Sequence, residues 1–129
     1  MKTQSARANI GSMLARTKEI HGIKVLADTL PATDRSSLRN LADELKQKLG
    51  SGIIILGTPQ DGKVALVVMV TSDICKRISA GQIIKQIAPL VGGAGGGKPE
   101  LAEAGGKDSS KLADAIEKSY SVVEGLLNA

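Results

Sequence analysis

One segment of this 129-residue chain, residues 92–106, combines glycine and lysine in a pattern that suits anion binding. It reads Gly-Gly-Ala-Gly-Gly-Gly-Lys-Pro-Glu-Leu-Ala-Glu-Ala-Gly-Gly, so glycine makes up almost half of it. Glycine inside a helix or strand costs about 0.5–1 kcal/mol relative to alanine, so we expect this density only where backbone turns sharply or lies against a ligand. Exposed backbone N–H groups beside the ammonium group of Lys98 suit a phosphate.

The segment resembles two nucleotide-binding motifs without matching either. Gly92, Gly97 and Lys98 have the spacing of a P-loop, but Pro99 stands where Ser or Thr would hold magnesium. A P-loop also joins a strand to a helix, whereas the apolar pattern here predicts a helix before the segment and a strand after it. The dinucleotide pattern fails because Lys98 replaces its third glycine. Nucleotide hydrolysis is therefore not predicted.

Neither catalysis nor metal binding is predicted from the remaining residues. His21 and Cys75 are the only histidine and the only cysteine, whereas a zinc site needs four ligands that are mostly of these types. We therefore expect no cofactor for this chain. A single cysteine cannot form an internal disulfide, which fits a reducing cytoplasm, and no apolar run is long enough to cross a membrane.

Charge alone favours a solvated mixed surface over an acidic partner, although both interpretations remain open. The formal net charge is +4 and the pI is about 9.3. Only Glu100, Glu103 and Asp108 oppose the basic residues around the glycine segment. Those basic residues are Lys76, Arg77, Lys85, Lys98, Lys107 and Lys111. Because Tyr120 is the only aromatic residue, serial base stacking is excluded, and a structured RNA read by shape, phosphate and 2′-hydroxyl fits better.

The apolar periodicity predicts an α/β or α+β fold, with a mixed β-sheet whose central hairpin is covered by helices. Both hairpin strands are continuous apolar runs, so we expect both faces of the sheet to be buried. An N-terminal helical arm, residues 1–22, should precede a globular domain, residues 23–129. The predicted elements are a helix over 2–20 closed by Gly22, a strand Lys24–Leu30, a helix from Thr33 or Asp34 to Gly50, strands Ile53–Leu56 and Val64–Val70 joined by a turn at 59–62, a helix Ser79–Ala88 ended by Pro89, a strand Glu100–Ala104, and a last helix capped by Asp108.

A family resemblance adds to this interpretation. The run Gly-Gly-x-Gly-Gly-Gly-(Arg/Lys)-Pro, then Ala-x-Ala-Gly-Gly and a capped helix, resembles the C-terminal domain of alanyl-tRNA synthetases, within the DHH-associated family. The resemblance is specific over about residues 50–125. It implies a noncatalytic module that contacts the corner of the L-shaped tRNA and supports aminoacylation and editing by upstream domains. ATP and zinc would then belong only to those upstream domains.

The resemblance also implies the partners and the binding residues. The partners would be an alanine-specific tRNA, the upstream domains of the same enzyme and, through residues 2–20, a possible second copy. The resemblance assigns to RNA binding Gly92, Gly93, Gly95, Gly96, Gly97, Lys98 and Pro99, and the charge pattern adds Lys85, Lys107 and Lys111. Two alternatives stay open, namely the nucleic-acid-binding half of a DHH-type phosphoesterase and a pure oligomerisation module.

Overall fold

A six-stranded mixed sheet organises the protein. The computed structural model describes residues 17–20, 22–29, 34–60 and 63–128. The strand order is β1-β2-β3-β4-β6-β5, with β2 and β3 parallel and every other pair antiparallel. The predicted α/β fold class is thereby confirmed. The elements are β1 (Lys18–Ile20), β2 (Ile23–Thr29), α1 (Arg35–Leu49), β3 (Ile53–Gln60), β4 (Lys63–Val70), α2 (Ala80–Ile87), β5 (Ala94–Gly97), β6 (Leu101–Gly106) and α3 (Leu112–Asn128).

The hairpin of β3 and β4 forms the centre of the sheet and is buried on both faces, as predicted. On one face, which we call the α1 face, Leu38 and Leu45 of α1 pack against Ile54 and Val67. On the other, the α2–α3 face, α2 and α3 pack against the alternate strand residues. Burial on both faces explains why the two strands read as unbroken apolar runs.

The bounds of α1 follow from its capping residues. Asp34 accepts a hydrogen bond from the Ser37 backbone N–H at 3.3 Å, and hydrogen bonding to Ser37 lowers the pKa of Asp34 below its usual value. Gly50 follows the helix with a φ of 83° and donates its N–H to Lys46 O. A left-handed residue after the last turn ends a helix most easily when it is glycine. Asp34 and Gly50 are the capping residues that the sequence predicted.

The predicted N-terminal helix is wrong at its C-terminal end. Residues 18–20 form β1, which pairs antiparallel with β2 from Lys18↔Val25 to Ile20↔Ile23. Gly22, with a φ of 81°, lies in the turn between these strands and does not close a helix. A glycine with positive φ serves a tight hairpin as well as a helix end, and here pairing with β2 decides between them. The rest of the predicted helix lies outside the described residues.

The turn of the central hairpin starts later than predicted. Pro59 and Gln60 belong to β3, where they pair with Val64 and Lys63. Proline is tolerated in a strand only where no neighbour needs its missing N–H. On its other side β3 pairs with β2 only as far as Thr29↔Gly57, so β2 has ended before Pro59. Asp61 and Gly62, the other predicted turn residues, lie outside the described residues.

Candidate nucleic-acid interface

The glycine segment forms a hairpin at the edge of the sheet. β5 pairs with β6 from Ala94↔Gly105 to Gly97↔Ala102, and β5 is the last strand of the sheet. The predicted strand Glu100–Ala104 is confirmed within β6, but the strand character of residues 94–97 was not predicted. The edge strand therefore consists of one alanine and three glycines, and its backbone is hardly covered by side chains of its own.

Several glycines of the segment lie where the backbone turns sharply or packs closely, and a sharp turn is one of the two uses that its glycine content predicted. Gly92 has a φ of 69° and follows a short 3₁₀ helix, Ala88–Val91, as its left-handed cap. Gly97 lies so close to β6 that an added Cβ would be 2.5 Å from Leu101 O. Such contacts cannot be relieved by rotating a side chain, because they involve backbone atoms of the neighbouring strand. The segment is thus held in place by packing and does not act as a flexible linker.

Helix α2 contacts β5, and hydrogen bonds at the two ends of the helix hold the backbone on either side of that strand. The Ala80 N–H donates to Pro99 O at 2.8 Å at one end, and the Gly93 N–H donates to Ala88 O at 3.0 Å at the other. The helix begins with a capping box, in which Ser79 and Gln82 bond each other's backbone N–H groups. Pro99 therefore has a structural role through its carbonyl, in addition to the RNA contact predicted from the sequence.

The structure divides the predicted RNA-binding residues into two groups. Gly95, Gly96, Gly97, Lys98 and Pro99 form β5 and its turn, whereas Gly92, Gly93, Lys107 and Lys111 lie at the opposite end. From Gly93 to Lys98 a strand spans about 17 Å. Lys85 lies between the two groups on the exposed side of α2. The predicted residues thus follow a line along one edge of the sheet and do not converge on a point.

Two further basic residues extend this line beyond Lys98. Lys76 and Arg77 are exposed in the connection from β4 to α2. That connection starts where the Val70 N–H bonds Glu100 O at 3.0 Å and ends at the Pro99–Ala80 hydrogen bond. It therefore crosses the same end of the sheet as the turn at Lys98. We define the basic edge by its exposed cationic side chains, which are Lys76, Arg77, Lys85, Lys98, Lys107 and Lys111.

Two of the three carboxylates near the basic edge have partners within the domain. Glu103 forms an ion pair with Arg39 at 2.5 Å on the α1 face, and only 21% of its side chain is exposed. Asp108 accepts hydrogen bonds from the backbone N–H and the hydroxyl of Ser110. Glu100 is the one of the three that is exposed. The field along this edge is therefore positive, which favours a polyanion over a neutral partner.

The outer side of α3 has the opposite character. Its exposed carboxylates are Asp114, Glu117 and Glu124, and Lys118 is the cation among them. Lys111, which belongs to the basic edge, lines the same groove as Asp114, Glu117 and Lys118, so these acidic groups lie beside one end of that edge. A polyanion would therefore meet a more positive surface at β5 and α2 than at α3.

Neither a metal-ligand cluster nor a membrane-spanning helix is found in the part of the chain that the structure describes. It contains no group of three or more His, Cys, Asp and Glu side chains that could hold a metal ion. Cys75 is half-buried, and its thiol donates to Ser72 O at 3.2 Å. None of the described helices is long and apolar enough to cross a membrane.

Sequence comparison decides the family. Residues 22–125 match the DHHA1 domain family, which is more than half of the chain. The chain belongs to the DHHA1 domain family. It is 44% identical over 128 residues to an alanine–tRNA ligase of Pelotomaculum thermopropionicum, which covers 98% of this chain and 15% of that protein. The chain therefore spans about one seventh of the curated relatives that it matches.

Solved structures confirm the DHHA1 fold. The C-Ala domain of Aquifex aeolicus alanyl-tRNA synthetase superposes with a TM-score of 0.78 at 24% identity, covering 84% of this chain and 98% of that chain. An exopolyphosphatase-related protein of Bacteroides fragilis superposes with a TM-score of 0.60 at 9% identity, covering all of this chain and 38% of that one. The predicted resemblance to the C-terminal domain of alanyl-tRNA synthetases is confirmed by the sequence relatives, while these structures show the fold alone.

Sequence reasoning missed the side chains that the DHHA1 fold brings to the open side of the hairpin. Arg39 and Asn40 are exposed residues of α1, far from the glycine segment in sequence. The fold places Arg39 against Glu103 of β6. In the sequence Arg39 and Asn40 look like ordinary polar residues of a solvated surface, because only the sheet order reveals that α1 and β6 are neighbours.

Proposed function

We propose that this DHHA1 domain is a noncatalytic tRNA-binding part of an alanine–tRNA ligase, and that it binds tRNA through its basic edge. The observation that carries the proposal is the edge strand of alanine and glycine, with Lys98 at one end and Lys107 at the other. A strand with almost no side chains lets the ribose–phosphate backbone approach closely, and the flanking ammonium groups bind phosphates.

The manner of recognition follows from what the basic edge lacks. Its described residues include no aromatic side chain, and the only aromatic residue of the chain, Tyr120, packs against the core on the α2–α3 face. Bases cannot be stacked along this edge, so affinity depends on phosphates and on the shape of a folded RNA. Folded tRNA should therefore bind better than an unfolded RNA of equal length.

The same proposal assigns the other partners and the reaction. Aminoacylation, with its ATP and zinc, would belong to upstream domains of the ligase. Those domains are the second partner of this domain. The ligase would act in the cytoplasm. The relatives that are more than 40% identical are alanine–tRNA ligases. The sequence relatives favour the ligase over a phosphoesterase, because a phosphoesterase is supported only by the similarity of the fold. A homodimer through residues 2–20 stays a prediction from the sequence.

We expect tRNA binding to weaken steeply with salt. If about three or four phosphates are contacted, log K should fall with log salt with a slope of roughly −2 to −4. Between 50 and 200 mM salt, affinity should fall about 15- to 250-fold. Lys98→Ala and Lys107→Ala should each lower the magnitude of the slope by about one and weaken binding to folded tRNA. Fluorescence anisotropy with a labelled tRNA transcript measures both quantities.

The matched control for these variants is Lys24→Ala. Lys24 is an exposed lysine of β2, which is separated from β5 by β3, β4 and β6, so its removal should leave both the affinity and the salt slope unchanged. Salt-independent binding, or an equal loss in all three variants, would contradict binding through the basic edge.

A further inference from the structure

Gly96 is a glycine that the fold does not require. An added Cβ at Gly96 would have no atom within 4 Å, and its φ is not in the positive region. Its neighbours differ, because an added Cβ at Gly97 would meet the backbone of Leu101 at 2.5 Å. Glycine in a strand interior weakens the strand and marks a bulge, a tight bend, or a site where a ligand or another backbone approaches closely. Gly96 therefore points to contact with a molecule outside the domain.

The face on which Gly96 is open follows from the strand register. Gly96 pairs with Glu103, and paired residues of antiparallel strands point to the same face. Glu103 contacts Arg39 of α1, so this is the α1 face. The opposite face of the hairpin, with Ala102 and Ala104, is covered by α2 and belongs to the core. The glycine hairpin thus has one packed face and one face beside α1 that is open at Gly96.

A groove lies next to this open face, because Arg39 in its wall contacts Glu103, the register partner of Gly96. Its cavity measures about 400 Å³, and Arg39, Asn40 and Lys46 of α1 form one wall. Lys98 forms the opposite side, and Met69 and Leu101 contribute apolar surface. Lys98 is two positions after Gly96, so the alternation of side chains along a strand directs it to the same face as Gly96.

The charges of the groove suit a ligand with both an anionic and a hydroxyl part. Lys98 forms no ion pair with any described residue, so its ammonium group is available to a phosphate. Arg39 is bound to Glu103 but keeps 49% of its side chain exposed. Glu100 and Asp43 also line the groove and supply carboxylate acceptors. A ribose 2′-hydroxyl donates to such acceptors, while the adjacent phosphate binds a cation.

We infer that the α1 groove, from Gly96 to Arg39, Asn40 and Lys98, binds one ribose–phosphate unit of the RNA backbone, with the ribose against the bare backbone at Gly96. The inference rests on the proposed tRNA binding and adds a second face to it, because Arg39 and Asn40 lie on α1 and not on the basic edge. The RNA backbone would pass over β5 from the α2 side to the α1 side.

A leucine at position 96 tests this inference. Gly96→Leu should place its side chain in the open space and weaken binding of folded tRNA at least tenfold, while the thermal melt stays close to that of the parent. The matched control is Gly125→Leu, because Gly125 of α3 also has nothing within 4 Å of an added Cβ. That variant should bind tRNA like the parent.

The outcomes separate the groove from the general function. If Lys107→Ala weakens tRNA binding while Gly96→Leu binds like the parent, the groove is wrong and the proposed function stands. If the parent chain itself does not bind tRNA, both are wrong. Should Gly96→Leu lose its cooperative melt, NMR of the unsubstituted chain decides: tRNA must shift the amide signals of Gly96 and Asn40, and a shift at Lys107 without them overturns the groove.

Discussion

Gly95→Ala should destabilise the domain by about 2–3 kcal/mol, because the added methyl group has no space between β5 and β6. The new Cβ would lie 2.5 Å from the Cα atom of Ala104 and also contact the carbonyl of Glu103. Relief requires the edge strand to move away from β6, which disturbs the contact between β5 and α2. For a domain of this size the melting temperature should fall by about 8–15 °C. Calorimetry or circular dichroism measures the change.

The neighbouring position provides the matched control. Gly96→Ala makes the same chemical change in the same strand, at a site with no atom within 4 Å. It should leave the free energy of unfolding unchanged or raise it by about 0.4–1 kcal/mol, because it reduces the entropy of the unfolded chain. If both variants melt at the same lowered temperature, the close approach of β5 to β6 does not explain the glycine at position 95.

The elements that the sequence predicted well have strong local signals. The central hairpin consists of two unbroken apolar runs, and α1 has both an apolar stripe and caps at Asp34 and Gly50. These features act within a few residues, so they can be recognised without tertiary information. The strand in β6 was also recognised, because Leu101, Ala102 and Ala104 are apolar residues bounded by glycine and proline.

The elements that were missed depend on pairing with distant residues. β5 consists of Ala-Gly-Gly-Gly and has no side-chain periodicity, so its strand conformation comes from hydrogen bonding to β6 and from contact with α2. β1 has three residues and exists because β2 offers an edge for pairing. Tertiary context overrides local propensity in both cases.

The sequence indicated which types of residue form the candidate site, but it did not indicate how they are arranged in space. The lysines around the glycine segment were identified, but their order in sequence did not reveal that β5 separates Lys98 from Lys107. The contribution of α1 was missed because the ion pair between Arg39 and Glu103 joins elements that only the sheet order makes neighbours. Charge type can be read from a sequence, whereas the face on which a charge lies requires the fold.

The edge of the sheet opposite β5 is closed by a side chain. β1 covers β2 only from Ile23 to Val25, so among the described residues no strand pairs with Ala27 on the side away from β3. The Tyr120 hydroxyl takes that place, donating to Ala27 O at 3.2 Å and accepting from Ala27 N at 3.3 Å. Unpaired edges invite association with other chains, and Tyr120 protects this one while anchoring α3 to the sheet.

Tyr120→Phe should therefore destabilise the domain by about 1–3 kcal/mol, because it leaves a partly buried backbone N–H and C=O without their partner. The ring would remain beneath the Lys18 ammonium group, which lies 4.3 Å from its centroid. Lys18→Ala separates the two contributions, since loss of the cation–π contact alone should cost only about 0.5–1 kcal/mol. Urea denaturation gives both free energies, and hydrogen exchange of the Ala27 amide should accelerate relative to Val25 in Tyr120→Phe only. Equal exchange of these two amides in Tyr120→Phe and in the parent would show that the hydroxyl does not close the edge of β2.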